Sequence, residues 1–146
     1  MKGYRKAIFA VVYFKDKNKI DYLLLKRKLH WKGWEFPKGG IRLLEPKRLC
    51  VKREVREETG LPIKKIKNLH FSGKYKYQKL LADRKDKIGQ TFSLFAVEAK
   101  SKKITRMDKK EHSGFEWMSF KKAYSNLTWP NQKECLKKVN DWLERN

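Results

Sequence analysis

Residues 39–61 read GGIRLLEPKRLCVKREVREETGL, and this stretch decides how the chain folds and what it can bind. Pro46 suits the first position of a helix, because a helix leaves the N–H groups of its first turn without partners. Gly60 and Pro62 supply the usual stop after the last turn. The segment therefore predicts a loop, then a helix from residue 46 to about residue 59, and a structural role for Gly60 as the residue that ends the helix.

The predicted helix gathers acidic side chains in a chain that is otherwise strongly basic. The chain has 38 Lys and Arg residues against 16 Asp and Glu residues, a formal net charge of +22, yet Glu54, Glu57 and Glu58 follow one another closely. Spacings of three and four residues place these carboxylates within an arc of about 100° on the helix surface. Arg53 can pair with Glu57, but one guanidinium cannot offset three carboxylates. Oxygen ligands this close together suit Mg²⁺, for which Mn²⁺ can substitute.

So many charges on one helix have two interpretations: a metal site, or a solvated helix held by ion pairs. The spacing of the fixed residues in the whole segment favours the metal site. It follows the pattern G-x5-E-x7-R-E-U-x-E-E-x-G-U, in which U is a bulky apolar residue. The fixed positions are occupied by Gly39, Glu45, Arg53, Glu54, Val55, Glu57, Glu58, Gly60 and Leu61. In these positions the chain resembles the Nudix hydrolase family, and it is most similar to the branch of diadenosine tetraphosphate hydrolases and RNA 5′-pyrophosphohydrolases.

The resemblance implies the architecture and the general chemistry. The expected fold class is α/β, a Nudix-type α/β/α sandwich in which a mixed β-sheet lies between helices. A single Nudix domain would cover residues 1–146, with the family's motif at residues 39–61. The expected reaction is Mg²⁺-dependent attack by water on a phosphoanhydride bond in a nucleoside diphosphate that is linked to another group.

The resemblance also implies a role for each residue of the motif. The metal ligands would be Glu54, Glu57, Glu58 and the Gly39 carbonyl oxygen. Glu54 and Glu57 would act in catalysis through this metal, and Arg53 would orient the glutamates. Glu45 would support the loop through hydrogen bonds, as a structural residue.

The general base is expected to be Glu54 or a glutamate outside the motif. Glu111 is the best candidate of the second kind, because it precedes a short predicted strand, as the family's later glutamate commonly does. Glu98 and Asp108 are its rivals, and Glu98 is expected to face solvent at the end of its strand. The neighbouring His112 is expected on the surface.

Apolar and β-branched runs predict the strands of the sheet. They lie at residues 7–14, 22–26, 66–77, 90–98 and 115–118, with a short extended piece at residues 34–40. A charged loop is expected at residues 79–87 and a helical turn at residues 120–124. The final helix is predicted at residues 132–143, because its apolar residues form one stripe.

Segments beside the motif bear on the substrate. Residues 34–39, WEFPKG, resemble the dinucleoside hydrolases and place Lys38 at the mouth of the site, where it suits a phosphate. Residues 39–41 and 88–90 instead resemble the RNA-processing relatives, and they also resemble some plant-type dinucleoside hydrolases. Residues 42–44, RLL, depart from both, because the family usually has a Pro-Gly turn before the first glutamate of the motif.

Aromatic and basic residues of the middle strands are further candidates for binding substrate. Tyr75 and Tyr77 are two residues apart and so share one face of a strand. They could stack on a base, or they could form an ordinary surface pair. Arg27 and Lys87 are candidates for binding a polyphosphate.

Two enzymatic functions and one function of another class follow from these observations, and cleansing of oxidised nucleoside triphosphates is a fourth alternative that no neighbouring segment supports. The first is asymmetric hydrolysis of dinucleoside polyphosphates to a nucleoside monophosphate and a triphosphate. The second is the same chemistry at an RNA 5′ end, which the net charge of +22 favours, since an RNA chain offers many phosphates. The third is a non-catalytic RNA-binding module. A general lysine bias in the composition is the alternative explanation of the charge.

The remaining features concern the environment of the chain. Cys50 and Cys135 are expected to be two reduced thiols in a cytoplasmic protein. No apolar run approaches the length of a membrane span, so no membrane partner is expected. A nucleotide-type molecule, or the 5′ end of an RNA, is the expected partner. The protein is expected to be a monomer or a weak dimer.

Overall fold

The strand that runs through the middle of the sheet, β1 (Gly3–Asp16), is buried on both of its faces. The odd-numbered side chains from Phe9 to Tyr13 join one hydrophobic cluster, and the even-numbered ones from Ile8 to Val12 join another. Successive side chains point to opposite faces of a strand, so an uninterrupted apolar run is typical of a strand covered on both sides. Burying a side chain of leucine size stabilises the fold by about 1.5–3 kcal/mol.

The structure, a computed structural model, describes residues 3–78 and 81–146. After β1 come β2 (Lys19–Arg27), β3 (Gly33–Glu35), β4 (Lys38–Gly40), α1 (Lys47–Thr59), β5 (Ile63–Lys76), β6 (Lys87–Ala99), β7 (His112–Met118), α2 (Phe120–Asn126) and α3 (Pro130–Arg145). A single 3-10 turn (Ala82–Arg84) lies between β5 and β6. The predicted strands and helices are present, and most are a few residues longer than the sequence patterns indicate.

The strands form one sheet in which parallel and antiparallel pairs are mixed, as predicted. The order is β3-β2-β1-β6-β5, with β4 paired to β1 and β7 paired to β2. β1 and β6 run parallel, whereas β2 and β4 pair with β1 in the antiparallel sense. The pairing of β4 with β1 brings the loop before α1 to the centre of the sheet.

Helices cover both faces of the sheet, which confirms the predicted α/β/α sandwich. Val51 and Val55 of α1 pack on one side of β1, and Leu136 of α3 packs on the other. Cys50 and Cys135 belong to these two different clusters and are both buried, free thiols, as predicted. None of the helices in the described part of the chain is long and apolar enough to cross a membrane.

Two details differ from the sequence prediction. Pro46 precedes α1 as its N-cap residue instead of being its first helical residue, because its ψ of 143° is extended. The loop predicted at residues 79–87 contains the 3-10 turn and ends before Lys87, which is already the first residue of β6. Residues 79 and 80 of that loop lie outside the described residues.

Leu44 has an unusual backbone conformation in the loop that leads into α1. Its φ is +61°, in the left-handed region that costs a residue with a Cβ atom roughly 1–2 kcal/mol. The residue is 94% exposed and its neighbour Leu43 is 92% exposed, so packing does not offset the strain. Leu44 belongs to the segment, residues 42–44, in which the sequence departs from the family that it resembles.

We expect Leu44→Gly to raise the free energy of unfolding by about 0.5–1 kcal/mol, because glycine adopts this φ without strain. The gain is smaller than the strain itself, since glycine also increases the entropy of the unfolded chain. Leu43→Gly is the matched control, since Leu43 is equally exposed but has a negative φ, and it should lose stability. Urea denaturation measures both variants, and a destabilised Leu44→Gly contradicts the assignment of strain.

Candidate active site

The loop and helix of the motif are held at the centre of the sheet by β4. Gly39 pairs with Ile8 of β1, and the Ala10 N–H donates to the Pro37 carbonyl at 2.9 Å. A side chain at Gly39 would overlap the carboxylate of Glu54 on α1. Glycine therefore lets the backbone approach Glu54, as a backbone metal ligand at this position requires.

Arg53 joins three parts of the site. Its Nε and Nη2 atoms each donate to the Glu45 carboxylate at 2.8 Å, and its Nη1 donates to Glu54 at 2.7 Å. Nη1 also lies 3.5 Å from Glu57, and Nη2 donates to the Gly40 carbonyl at 3.0 Å. The hydrogen bonds from Arg53 contribute most to holding the pKa of Glu45 at about 2, and the hydrogen bond to Glu45 raises the pKa of Arg53.

Glu58 is a buried carboxylate with too little positive charge around it. The residue is 3% exposed, and its Oε2 atom has no hydrogen-bond partner among the described residues. Burial raises the pKa of Glu58 well above its usual range, and the charges of Glu54, Glu35 and Glu111 raise it further. Burial also raises the pKa of Glu54, against the hydrogen bonds it forms with Glu58 and Arg53. A bound cation would offset this excess of negative charge.

The donor set fits a hard divalent cation such as Mg²⁺, which prefers carboxylate and carbonyl oxygens. The Glu58 oxygen without a partner is available to such an ion. In the part of the chain that the structure describes, no three Asp, Glu, His or Cys side chains already lie at metal-binding spacing. Arg53 holds one oxygen of Glu54 and approaches Glu57. The assignment of these glutamates and Gly39 as ligands therefore stays a prediction.

A second network of charges centres on Glu35, which is completely buried. Its Oε2 atom accepts hydrogen bonds from Arg27 Nη1 at 3.1 Å and from His112 Nε2 at 2.8 Å, and Lys38 Nζ lies 3.4 Å from Oε1. Burial opposes ionisation of Glu35, but Lys38, His112 and Arg27 outweigh it and hold its pKa at about 2. Sequence reasoning missed this residue. Its one signal is a carboxylate between two aromatic residues in the segment at residues 34–39.

Glu111 lies at the edge of this second network. Its Oε2 atom is 3.8 Å from Arg27 Nη1, and its side chain is 28% exposed. Its charge helps to raise the pKa of Glu58, so the two carboxylates are electrostatically coupled. The prediction that His112 lies on the surface is wrong: the residue is 1% exposed, because the pairing of β7 with β2 places its ring beside Glu35.

The two rivals of Glu111 have other partners. Glu98 is buried, contrary to expectation, and its carboxylate lies 3.7 Å from Lys64 Nζ and 3.9 Å from Lys65 Nζ. The Asp108 carboxylate accepts a hydrogen bond from the Lys110 N–H at 3.0 Å and so stabilises the turn before β7. Of these three candidates, Glu111 is the one whose charge contributes to raising the pKa of Glu58 in the acidic cluster.

A cleft of about 660 Å³ extends from the second network. Lys38, Arg27, Tyr75 and Tyr77 all line it, and other lining residues are His30, Trp31, Lys74, Lys76, Arg84 and Trp129. No Asp or Glu belongs to its described lining. The cleft does not include Lys87, whose Nζ atom pairs with the carboxylate of Asp86 at 3.4 Å. Basic and aromatic side chains together suit a ligand that carries phosphates and bases.

The tyrosine side of the cleft is supported by Arg84 and by two residues that sequence reasoning missed, Arg5 and Gln90. The Tyr77 hydroxyl donates to Gln90 Oε1 at 3.2 Å, and Arg84 Nη1 donates to the Tyr77 hydroxyl at 3.2 Å. Arg5 Nη1 donates to the same Gln90 oxygen at 3.1 Å. Burial and the nearby charge of Arg84 lower the pKa of Arg5. Arg5 and Gln90 meet because they pair across the parallel strands β1 and β6, which no local pattern reveals.

The chain is similar in sequence to a known protein family and to several curated proteins. The family model described as NUDIX domain matches residues 3–139. The RNA pyrophosphohydrolase of Haemophilus ducreyi is 31% identical over 129 residues, which cover 81% of this chain and 64% of that protein. The protein of the same name from Pasteurella multocida is 32% identical over 128 residues, covering 81% of this chain and 63% of its own. The chain therefore spans less than two thirds of the length of these curated relatives.

Solved structures show the same fold at lower identity. The Ap4A hydrolase binary complex from C. elegans has a TM-score of 0.80 at 19% identity and covers 97% of this chain and 99% of its own. The dihydroneopterin triphosphate pyrophosphohydrolase of E. coli has a TM-score of 0.78 at 18% identity, covering 94% and 97%. At these identities the likeness concerns the fold alone.

We expect Glu58→Gln to stabilise the metal-free protein at pH 8. A raised pKa in the folded state means that the folded carboxyl keeps a proton that the unfolded chain has released, so stability falls as the pH rises from about 4.5 through the folded pKa. Glutamine removes this fall, and the Tm in EDTA should rise by several degrees at pH 8 but not at pH 4. The variant should also lose the Mg²⁺-dependent increase in Tm.

The matched control for this prediction is Glu98→Gln. Glu98 is also buried but has two lysines beside it, so its removal should not stabilise the protein. Differential scanning calorimetry in EDTA and in Mg²⁺ measures all three proteins. A lower Tm of Glu58→Gln in EDTA at pH 8 is the result that contradicts the assignment of an uncompensated charge.

Proposed function

This chain belongs to the NUDIX domain family, and from that premise we propose that it is a Mg²⁺-dependent pyrophosphohydrolase that cleaves a phosphoanhydride bond in a nucleotide-type substrate. One observation carries the proposal: an acidic cluster on α1 lies close to a cleft whose described lining is basic and aromatic. The cluster suits a cation, and the cleft suits phosphates and bases. A nucleotide can contact both features, with its reacting phosphates at the acidic cluster and its remaining phosphates and bases in the cleft.

Different residues of the chain would bind the metal, accept a proton and orient the carboxylates. The residues that would hold Mg²⁺ are Glu54, Glu57, Glu58 and the Gly39 carbonyl, and the bound ion would offset phosphate charge and acidify water. Glu111 accepts the proton of the attacking water as general base. The water oxygen forms a bond to phosphorus while the bond from phosphorus to the bridging oxygen breaks, and the leaving phosphate keeps that electron pair. Arg53 keeps the carboxylates of α1 oriented throughout.

Phosphates beyond the reacting one would meet the cations of the cleft. Lys38 Nζ lies 3.4 Å from Glu35 and 6.0 Å from the centre of the Phe9 ring, so the ammonium group is held in place at the cleft. The Arg84 guanidinium lies 5.7 Å from the centre of the Tyr77 ring. A guanidinium held over an aromatic ring loses little freedom when it binds a phosphate.

Two separate aromatic pairs in the cleft favour a substrate with two bases. Tyr75 and Tyr77 meet edge to face with ring centres 6.3 Å apart, and Trp31 and Trp129 do so at 5.4 Å. Stacking on an aromatic side chain contributes about 1–3 kcal/mol per base. We therefore propose a dinucleoside polyphosphate as substrate, hydrolysed asymmetrically to a nucleoside monophosphate and a nucleoside triphosphate.

One observation favours the 5′ end of an RNA as the alternative substrate. Exposed lysines follow one another along the edge strand β5, and the last two line the cleft; they are Lys64, Lys65, Lys67, Lys74 and Lys76. Such a row suits a polyanion longer than a dinucleotide. The curated relatives named RNA pyrophosphohydrolase agree with this alternative.

The two substrates should respond differently to salt. We expect rapid conversion of diadenosine tetraphosphate to ATP and AMP in Mg²⁺, with little change between about 50 and about 200 mM salt. If RNA is the substrate, contact with four phosphates predicts a drop in kcat/KM of about 50-fold over that range. Nucleotide products and pyrophosphate are measured side by side for diadenosine tetraphosphate and a 5′-triphosphorylated RNA. Fast, salt-sensitive turnover of the RNA alone contradicts the dinucleoside proposal.

Glu57→Gln separates catalysis from simple binding. We expect kcat to fall by more than about 100-fold, because the variant lacks a charged metal ligand, while nucleotide binding is partly retained. Glu116→Gln is the control, since both side chains are 40% exposed and each is paired with a basic residue. Steady-state kinetics measures turnover, and calorimetry measures binding. Unchanged turnover in Glu57→Gln argues against the metal assignment and favours a non-catalytic RNA-binding module.

A further inference from the structure

The buried carboxylate of Glu35 has no part in the reaction scheme, yet three basic residues, Arg27, Lys38 and His112, lie within 3.4 Å of it. Its Oε2 atom accepts hydrogen bonds from both Arg27 and His112, at 3.1 and 2.8 Å. Arg27 is 4% exposed and His112 is 1% exposed. Burying a charge costs free energy of folding, which its partners offset only in part. A cluster of buried charges is therefore weak evidence for a purely stabilising role.

Two of the three partners of Glu35, Arg27 and His112, also connect it to Glu111. Through space, Nη1 of Arg27 lies between the two carboxylates, 3.1 Å from Glu35 and 3.8 Å from Glu111. Along the chain, His112 directly follows Glu111, and its ring is tied to the same Glu35 oxygen. The Glu111 carbonyl also accepts a hydrogen bond from the Lys28 N–H at 2.9 Å, next to Arg27. The location of Glu111 is thus set from its side chain and from its backbone.

We propose that Glu35 is a positioning residue that holds the Glu111 carboxylate in place for the attacking water. The inference rests on the proposed function, in which Glu111 is the general base. Glu35 acts by engaging Arg27, so that the guanidinium does not draw Glu111 toward itself, and by fixing the ring of His112. A neutral residue at position 35 leaves Arg27 with Glu111 as its nearest carboxylate.

This geometry predicts that the Glu111 carboxylate moves toward Arg27 in the variant Glu35→Gln. The uncharged amide weakens the hold on Arg27, and the guanidinium then pairs directly with Glu111. The separation of 3.8 Å between Arg27 and Glu111 should shorten to that of a charge-assisted hydrogen bond, about 2.8 Å. The carboxylate moves away from the water that it deprotonates.

A double-mutant cycle tests the inference. We expect Glu35→Gln to lower kcat at least tenfold and to cause no further loss of kcat when Glu111→Gln is already present; a change in KM instead reports Lys38, which Glu35 also holds. Asp21→Asn is the control: Asp21 is a buried carboxylate with a lysine partner, Lys102 at 2.5 Å, and its removal should lower the Tm but leave kcat unchanged. A purely structural role of Glu35 instead predicts an equal loss in both backgrounds, and that result overturns the inference.

Crystal structures of the wild type and of Glu35→Gln give a test that needs no turnover. A shortened Arg27–Glu111 distance supports the proposal, and a Glu111 carboxylate that keeps its place would falsify it. Failure of the proposed function and failure of the proposed role of Glu35 give different results. A wild type without activity on either substrate, or a Glu111→Gln variant with full activity, counts against the proposed function, whereas an unmoved Glu111 counts against the role of Glu35 alone.

Discussion

The guanidinium of Arg53 is the contact on which the arrangement of the site depends. It binds Glu45 in the loop with two nitrogens, Glu54 on the helix with a third, and the Gly40 carbonyl on β4. The loop, the helix and β4 are thereby held in one geometry. A lysine could not replace it, because an ammonium group is a single point of charge and lacks the planar fork. Exposed ion pairs contribute little, but Arg53 is largely shielded from solvent.

Charge is distributed very unevenly in this molecule. A chain with a net charge of +22 keeps the buried carboxylate of Glu58 beside Glu54, with Arg53 bound to Glu54 alone of the two. The cleft nearby has basic side chains and no carboxylate in its described lining. Burial lowers the effective dielectric constant, which strengthens the electric field of the acidic cluster and that of the basic cleft. Such an arrangement costs stability in the free protein, and departures from local rules of this kind are typical of functional sites.

Some errors of the sequence analysis share one physical cause. His112 and Glu98 are polar residues near strand ends, and single-residue reasoning places such residues in solvent. Both are buried, because each meets an opposite or complementary charge from another segment, Glu35 in one case and two lysines in the other. In each case the partner belongs to the fold and not to the pattern of neighbouring residues.

The resemblance of residues 39–61 to a known family implied the α/β/α sandwich, and the sequence by itself determined the buried strands and the acidic helix. Those features depend on periodicity within one element, such as the two-sided burial of β1, the three- and four-residue spacing of Glu54, Glu57 and Glu58, and the C-cap at Gly60. The tertiary structure alone decided the contact of Glu35 with His112, 77 residues apart, and of Arg5 with Gln90, 85 residues apart. The physical reason is that backbone geometry fixes angles only within an element. Strand order and register, which follow from packing of the whole chain, decide which distant charges meet.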